Sequence, residues 1–360
     1  MMDAANLAGA GAVIMSPVQA ASPVAAARRR RRVLASLLLA ALGLSVLGMA
    51  AGSSGLSWQA LRADLAADQA ALIFGHIRAP RTLGAWLVGA LLGLAGALAQ
   101  GVFRNPLAEP FLLGTAAGAS LGVVVVLSAG SLVGWGVSLA TAAWFERIGL
   151  ASAAIVGALA GVMLTLTLAR GAQQTLRLLL AGVVVGMLLG ALNDLLTLVS
   201  PEAMRGKQMF LLGSTSLLGW SADALLALGL GVALPLALRL ARVLDALTLG
   251  EDSAASLGLP LAHLRLVLVL LLALCTGFAV SQAGLVAFVG LAAPHVVRRL
   301  APSSNGFLLV ASAAAGGVLL LAADVLARSL IAPQELPVGV ITAVIGGTYL
   351  LVLLHRRTGL

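Results

Sequence analysis

The chain is poor in charge and in cysteine for its length. Charged residues make up 10% of its 360 positions, against about 25% in soluble proteins. So few charges cannot cover a water-soluble fold of this size, which excludes a soluble enzyme. The single cysteine, Cys275, excludes an intramolecular disulfide and a thiolate metal cluster.

The sequence motifs of common enzyme chemistries are also missing. There is no GxxxxGK[ST] loop to hold ATP phosphates, and the only lysine is Lys207. Nucleophile-elbow, zinc-protease and dinucleotide-binding patterns are absent as well, and the four histidines are scattered. We therefore predict that the chain is not an enzyme and holds no cofactor or metal of its own. The net charge of +9 is assigned to membrane topology and not to nucleic-acid binding.

Apolar residues are abundant instead. Hydrophobic residues make up 61% of the chain, and 42 glycines add to them, which is enough for about ten spans of roughly 20 residues each. The apolar runs are 33–51, 83–99, 112–130, 148–169, 178–199, 224–238, 266–297, 307–327 and 338–354. The run 266–297 is too long for one span, and the polar residues and glycine at 281–284 divide it. The sequence predicts an all-α membrane protein of about ten transmembrane helices, several of them short or broken.

The basic residues predict the orientation of this bundle. Five arginines at 28–32 precede the first apolar run, which is longer than the core of a secretory signal peptide. A cleaved signal peptide is the alternative to an uncleaved first helix, which we favour. With the amino terminus in the cytoplasm, fifteen Lys and Arg residues fall inside and seven outside, as the positive-inside rule prefers. Residues 1–32 are predicted to be a cytoplasmic basic tail and 33–357 a single ten-helix domain with both termini cytoplasmic.

Small residues and rare acidic residues predict how the helices pack. Glycines recur every fourth residue at 114–122 and 182–190, and in pairs at 89/93 and 157/161, a spacing that lets helix backbones approach closely in lipid. The ionisable residues predicted at membrane depth are Asp194 and Asp324. Both lie towards the outer ends of their spans, and we predict a structural role for them.

Four ordered segments carry a family resemblance. Residues 78–122, 247–259, 282–300 and 335–347 resemble the motifs of the permeases of iron–siderophore, haem and cobalamin ABC importers, the FecCD-type family. The similarity covers roughly residues 33–357. It implies a cobalamin-importer-permease-like homodimer in the bacterial inner membrane. It also implies two copies of a separate ATPase that binds ATP and magnesium, and an external binding protein that delivers a metal chelate.

The resemblance also implies roles for particular residues. The cytoplasmic segment 247–263 is implied to be the element that couples to the ATPase, through Gly250, Glu251, Asp252, Ser253, Ser256, Leu257 and Gly258. The cytoplasmic gate is implied at Asn105, Leu107, Thr175 and Leu176. Leu176 departs from the small polar residue expected in the cobalamin member of the family.

Three arginines are exceptions to the positive-inside distribution. Arg78, Arg81 and Arg328 are predicted to face outward, where they would form a docking pad for acidic residues of the binding protein. The alternative is that they extend to lipid headgroups. The predicted function is the permease subunit of an ABC importer for an iron–siderophore complex. Haem or cobalamin as cargo, and a secondary transporter working alone, are the alternatives.

Overall fold

The computed structural model describes residues 23–52, 55–66, 68–133, 139–171, 174–250, 254, 256, 258 and 260–357. These residues are almost entirely helical, and no strand element occurs among them. The helices are α1 Pro23–Ala50, α2 Trp58–Ala66, α3 Ala70–Leu72, α4 Ala79–Val102, α5 Thr115–Val133, α6 Leu139–Leu168, α7 Thr175–Val199, α8 Pro201–Leu212, α9 Trp220–Arg239, α10 Ala241–Thr248, α11 Leu261–Ala283, α12 Val289–Leu300, α13 Asn305–Ser329 and α14 Val338–Arg357. A π-helical turn, Ile73–Arg78, joins α3 to α4, and a 3₁₀ turn, Pro110–Leu113, precedes α5.

Ten of these helices correspond to the predicted membrane segments. Seven helical segments are long and apolar enough to cross a membrane, namely α1, the continuous α3–α4 segment, α6, α7, α9, α11 and α13. Helices α5 and α14 are shorter apolar helices. Helix α12 has 12 residues, about 18 Å, which is too short for a hydrocarbon core of about 30 Å. The prediction of an all-α membrane bundle with short and broken spans is confirmed.

Two boundaries differ from the prediction. Helix α1 begins at Pro23, so the arginine run predicted to be a tail lies within the first turns of the helix. Helix α8 lies between the apolar runs 178–199 and 224–238, where no helix was predicted, because its polar residues interrupt the hydropathy pattern. Its start follows local rules, since the Ser200 hydroxyl accepts a hydrogen bond from the Ala203 N–H and Pro201 is the first helical residue.

Helix α4 lies at the centre of the bundle. It is buried along nearly its whole length, and it packs against α9, α11, α12 and α13. The predicted glycine contacts make this packing close. A Cβ atom at Gly89 would lie 2.3 Å from the carbonyl oxygen of Gly316 on α13, and one at Gly118 would lie 2.2 Å from that of Gly157. Helices α4 and α13, and likewise α5 and α6, therefore touch backbone to backbone.

The glycine series on α7 behaves differently. A Cβ at Gly182 would meet the carbonyl oxygen of Leu112 at 2.1 Å, whereas a Cβ at Gly186 or Gly190 would meet nothing within 4 Å. The prediction that the whole series packs against another helix is therefore wrong within one subunit.

We name the two ends of the bundle outer and cytoplasmic according to the orientation predicted from the charges.

Candidate permeation and coupling sites

A buried network of ion pairs joins the outer ends of α4 and α13. Arg81 donates from Nε to Asp324 Oδ1 at 3.1 Å and from a terminal nitrogen to Glu335 Oε1 at 2.9 Å. Arg328 pairs with the second carboxylate oxygen of Asp324, and the Thr215 hydroxyl donates to the first. Asp324 is fully buried. This carboxylate therefore links α4, α13 and the loop before α9, which confirms its predicted structural role.

The outer arginines also fasten the end of α1 and the turn before α4. Arg328 donates to the carbonyl oxygen of Gly48 at 2.9 Å. Arg78 pairs with the Asp64 carboxylate and donates to the carbonyl oxygen of Met49 at 3.0 Å. Each of the three guanidinium groups thus pairs with a carboxylate of the same chain. Those of Arg78 and Arg328 also donate hydrogen bonds to backbone carbonyl groups.

The side chains of the three arginines are buried, whereas a docking pad needs them to be exposed. The exposed fractions of Arg78, Arg81 and Arg328 are 6%, 8% and 3%. The three residues lie at the end of the bundle that the charges predict to be outer, but their guanidinium groups are buried, because a charge in a medium of low dielectric is stabilised by a carboxylate partner. A carboxylate of a docking protein would have to compete with Asp64, Asp324 and Glu335 for them. Their part in docking stays a prediction.

The turn between α4 and α5, residues 103–109, forms a tight elbow at the cytoplasmic end. Asn105 Oδ1 accepts a hydrogen bond from the Leu107 N–H at 2.9 Å, and Ala108 donates to the Asn105 carbonyl oxygen at 3.0 Å. The Asn105 side chain is exposed and Leu107 is half-buried. These two predicted gate residues are therefore held in one rigid turn.

The elbow then turns back into the bundle and caps α12. Glu109 Oε1 accepts a hydrogen bond from the Phe288 N–H at 3.0 Å, at the left-handed residue that precedes α12. A carboxylate at this place favours the positive end of the helix. Burial raises the pKa of the Glu109 carboxyl, and the hydrogen bond from Phe288 opposes that shift. Close by, a Cβ at Gly96 would lie 1.7 Å from the Gly290 carbonyl oxygen, so α4 and α12 touch directly.

The second predicted gate segment lies at the start of α7. Thr175 is the first residue of the helix, and the Leu176 side chain is 71% exposed. The structure thus places the second segment at the cytoplasmic end as well, on an element separate from the elbow. The gate function of both segments stays a prediction.

The predicted coupling element follows the amphipathic helix α10. Leu244 and Leu247 of α10 are fully buried, and Asp245 accepts hydrogen bonds from the backbone and side-chain nitrogens of Asn305 at 2.9 and 2.8 Å. Helix α10 is therefore anchored to the start of α13. Beyond it, Gly250 has a φ of +107° and Gly258 a φ of +73°.

Part of the coupling element lies outside the described residues. Glu251, Asp252, Ser253 and Leu257 belong to that part. Among its described members, Ser256 and Gly258 are exposed, whereas Ala254 is buried. The exposed positions leave a surface on which a partner can bind, and the coupling role itself stays a prediction.

Three breaks between consecutive helices meet at one place. They lie between α8 and α9, between α11 and α12, and between α13 and α14. Leu285 donates to the Phe210 carbonyl oxygen at 2.7 Å, and Gly339 donates to the Gly213 carbonyl oxygen at 3.4 Å. A Cβ at Gly213, whose φ is +65°, would lie 2.3 Å from the Leu285 carbonyl oxygen. The ends of α8 and α11 and the start of α14 therefore satisfy one another's backbone groups, as buried non-helical chain requires.

A cavity of about 280 Å³ lies beside these breaks. Helices α5, α7 and α8 form its walls, and Phe210 and Leu285 contribute apolar surface. Its polar side chains include Ser120, Asn193 and the ion-paired Asp194 and Lys207. The structural role predicted for Asp194 is consistent with this pair.

Sequence reasoning missed the cap at Glu109, the anchor at Asp245 and the helix α8. Only α8 had a clear local pattern, Ser200 followed by Pro201. The partners of Glu109 and Asp245 lie 179 and 60 residues away along the chain, and nothing in their own neighbourhood identifies them.

Comparison with known proteins identifies this arrangement. The model of the FecCD transport family matches residues 35–356. The chain belongs to the FecCD transport family. This confirms the family resemblance of the four sequence segments, and the chain is a multi-pass membrane protein of a transport family.

Individual relatives cover nearly the whole chain. The hemin transport system permease protein HmuU of Yersinia pestis is 36% identical over 313 residues, which are 85% of this chain and 90% of HmuU. The vitamin B12 import system permease protein BtuC of Salmonella paratyphi A is 37% identical over 329 residues, 90% of this chain and 94% of BtuC. A solved structure of a metal-chelate type ABC transporter in an inward-facing conformation matches with a TM-score of 0.78 and 27% identity, and covers 91% of this chain and 99% of its own.

Proposed function

We propose that the chain is the membrane-spanning permease of an ATP-binding-cassette importer and that its cargo is an iron–siderophore complex or a related metal chelate. Membership of the FecCD transport family supports the class. Relatives named for hemin and vitamin B12, and a metal-chelate neighbour, support a metal-containing cargo. Haem and cobalamin are the alternative cargoes.

The observation that carries this proposal is the meeting of helix breaks around Gly213, Leu285 and Gly339. Helix α11 ends at Ala283, inside the long apolar run 266–297, and non-helical chain within such a run is stable where it lines a path or a cavity and not where it faces lipid. Here the breaks adjoin a cavity whose lining is mainly apolar and includes a few polar side chains. The site is built for passage of a solute and not for covalent chemistry.

A second copy of the chain is the natural partner for the exposed side of α7. Leu176, Met187 and Leu195 are 71%, 71% and 61% exposed, and Gly186 and Gly190 leave the helix backbone open to close approach. A homodimer built on this side would place the cargo path between the two subunits. The gate residues Asn105, Leu107, Thr175 and Leu176 would then close the path at its cytoplasmic end.

The remaining parts of the assembly act at the two ends of the bundle. Two ATPase subunits would bind the coupling element between Gly250 and Gly258, and they would supply the ATP and magnesium chemistry. A binding protein would deliver the chelate at the outer end. In this assembly the chain lies in a bacterial inner membrane with both termini in the cytoplasm.

A secondary transporter working alone is the alternative from another class. Such a protein needs a relay of ionisable groups at membrane depth. Asp194 and Asp324 are ion-paired, whereas both carboxylate oxygens of the buried Asp223 have no hydrogen-bond partner among the described residues. One isolated carboxylate near the outer end of α9 is not a relay, so we favour the importer.

Reconstitution in vesicles tests the proposed function. Permease, ATPase and binding protein are combined, and uptake of radiolabelled ferric siderophore, haem and cobalamin is measured with ATP or ADP in the lumen. We expect uptake with ATP and the binding protein only, with no response to proton or sodium gradients. Gradient-driven uptake by the permease without its partners would contradict the proposal.

A further inference from the structure

The cavity between α5, α7 and α8 has features of a binding site. Its two charged residues among those described are Asp194 of α7 and Lys207 of α8, which form an ion pair. It adjoins the backbone contact between Phe210 and Leu285, where the breaks meet. A solute that follows the proposed path therefore passes this cavity.

One amide in the wall is incompletely satisfied. Asn193 is 4% exposed, and its Nδ2 donates to the Ser120 hydroxyl at 2.7 Å, while its Oδ1 has no partner among the described residues. Rotating the amide by 180° would only exchange which atom is left over, because the serine hydroxyl can both donate and accept. In the rotated amide the left-over atom is the Nδ2 donor, which is costly to bury without a partner and which an acceptor oxygen of a ligand in the cavity would satisfy.

The ion pair beside this amide is asymmetric. The Lys207 side chain is 18% exposed, whereas that of Asp194 is 70% exposed. Asp194 lies near the outer end of α7, and a carboxylate so exposed faces water or another subunit and not lipid. Asp194 can therefore turn towards water, while the Lys207 ammonium stays on the cavity wall.

The choice of lysine is notable in this chain. Lys207 is the only lysine among 22 basic residues, and the buried structural ion pairs at the outer end all use arginine. An arginine makes fixed, fork-shaped pairs, whereas a lysine ammonium is a compact charge on a flexible stem with three donors. The described acceptor of Lys207 is Asp194, so two of its protons are available to a ligand.

We propose that this cavity is a subsite for an anionic, oxygen-rich group of the transported chelate, such as a carboxylate. The group pairs with the Lys207 ammonium in place of Asp194, and the Asn193 amide donates a hydrogen bond to it. This inference rests on the proposed importer function, and it adds to that function the statement that the cargo carries an anionic group.

Uptake of two chelates by reconstituted variants tests the subsite. The probes are radiolabelled ferric aerobactin, which carries carboxylates, and ferrichrome, which is neutral. We expect ATP-driven uptake of ferric aerobactin to fall about tenfold or more in Lys207→Gln, the loss of one charge-assisted hydrogen bond. Asp194→Asn should lose less uptake than Lys207→Gln, because it removes the competing carboxylate and leaves the ammonium in place. Arg205→Gln, which changes an exposed basic residue of the same helix, is the matched control and should stay within about twofold.

The outcomes distinguish a failure of the subsite proposal from a failure of the proposed function. Equal losses in Lys207→Gln and Asp194→Asn would show a purely structural ion pair and overturn the proposal. Wild-type uptake restricted to ferrichrome, or unchanged aerobactin uptake in Lys207→Gln, would also overturn it while the importer function stands. Wild-type uptake of aerobactin or ferrichrome that needs no ATPase would instead contradict the proposed function.

Discussion

Replacing Asp324 by asparagine tests whether the outer arginine network holds the bundle together. Asp324 is 0% exposed and accepts hydrogen bonds from Arg81, Arg328 and Thr215. Asparagine keeps the shape of the side chain and one acceptor oxygen, but it removes the negative charge between two buried guanidinium groups. Removing one partner of a buried ion pair costs about 3–5 kcal/mol, because the other charge stays buried without compensation.

We therefore expect the free energy of unfolding to fall by about 3–5 kcal/mol in Asp324→Asn, measured by titrating detergent-solubilised protein with SDS and following helicity by circular dichroism. Glu335→Gln is the matched control. It removes the other carboxylate that Arg81 contacts, but the Glu335 side chain is 36% exposed, so the loss should stay below about 1 kcal/mol. The effect of Asp324→Asn should change little with ionic strength, since salt screens buried charges weakly.

Two results would refute this reasoning. A fall of less than about 1 kcal/mol in Asp324→Asn, similar to that of an exposed pair, would show that the network does not hold the helices together. A loss that disappears at high salt would show that the charges are accessible to solvent. Arg81 and Arg328 would then again be candidates for an exposed docking pad.

Substitutions at Gly96 and Glu109 test the contacts of α12. Gly96→Ala places a methyl group where the Gly290 carbonyl oxygen lies 1.7 Å from an ideal Cβ, so we expect a loss of about 1–3 kcal/mol or more in the same unfolding assay. Gly231→Ala, at an exposed position inside α9, meets nothing within 4 Å and should be neutral or slightly stabilising; equal effects of the two alanines would contradict the packing argument. Glu109→Ala removes the cap on the Phe288 N–H and should destabilise α12 by about 1 kcal/mol, seen as faster amide exchange at its first turn. Glu109→Gln keeps an acceptor oxygen and should exchange nearly as slowly as wild type; rapid exchange in both variants would show that charge, and not capping, matters there.

The sequence by itself determined the class of the protein and the order of its membrane segments. The free energy of placing a segment in lipid depends mainly on the residues of that segment, so hydropathy located the spans without knowledge of their neighbours. Local backbone rules also located the division of the longest run, since Gly284, with a φ of +67°, ends α11 within the predicted 281–284. The motif order was sufficient to indicate the family.

Only the tertiary structure decided where the polar side chains lie. Arg81 and Asp324 are 243 residues apart along the chain, and their pairing depends on α4 packing against α13. Hydropathy indicates only whether a segment as a whole is more stable in lipid or in water. It therefore cannot distinguish an arginine that faces solvent from one that is ion-paired inside the bundle. For the same reason it did not identify α8, with Lys207, although that helix forms a wall of the cavity. The environment of a charge is set by the helices that surround it, and these come from distant parts of the chain.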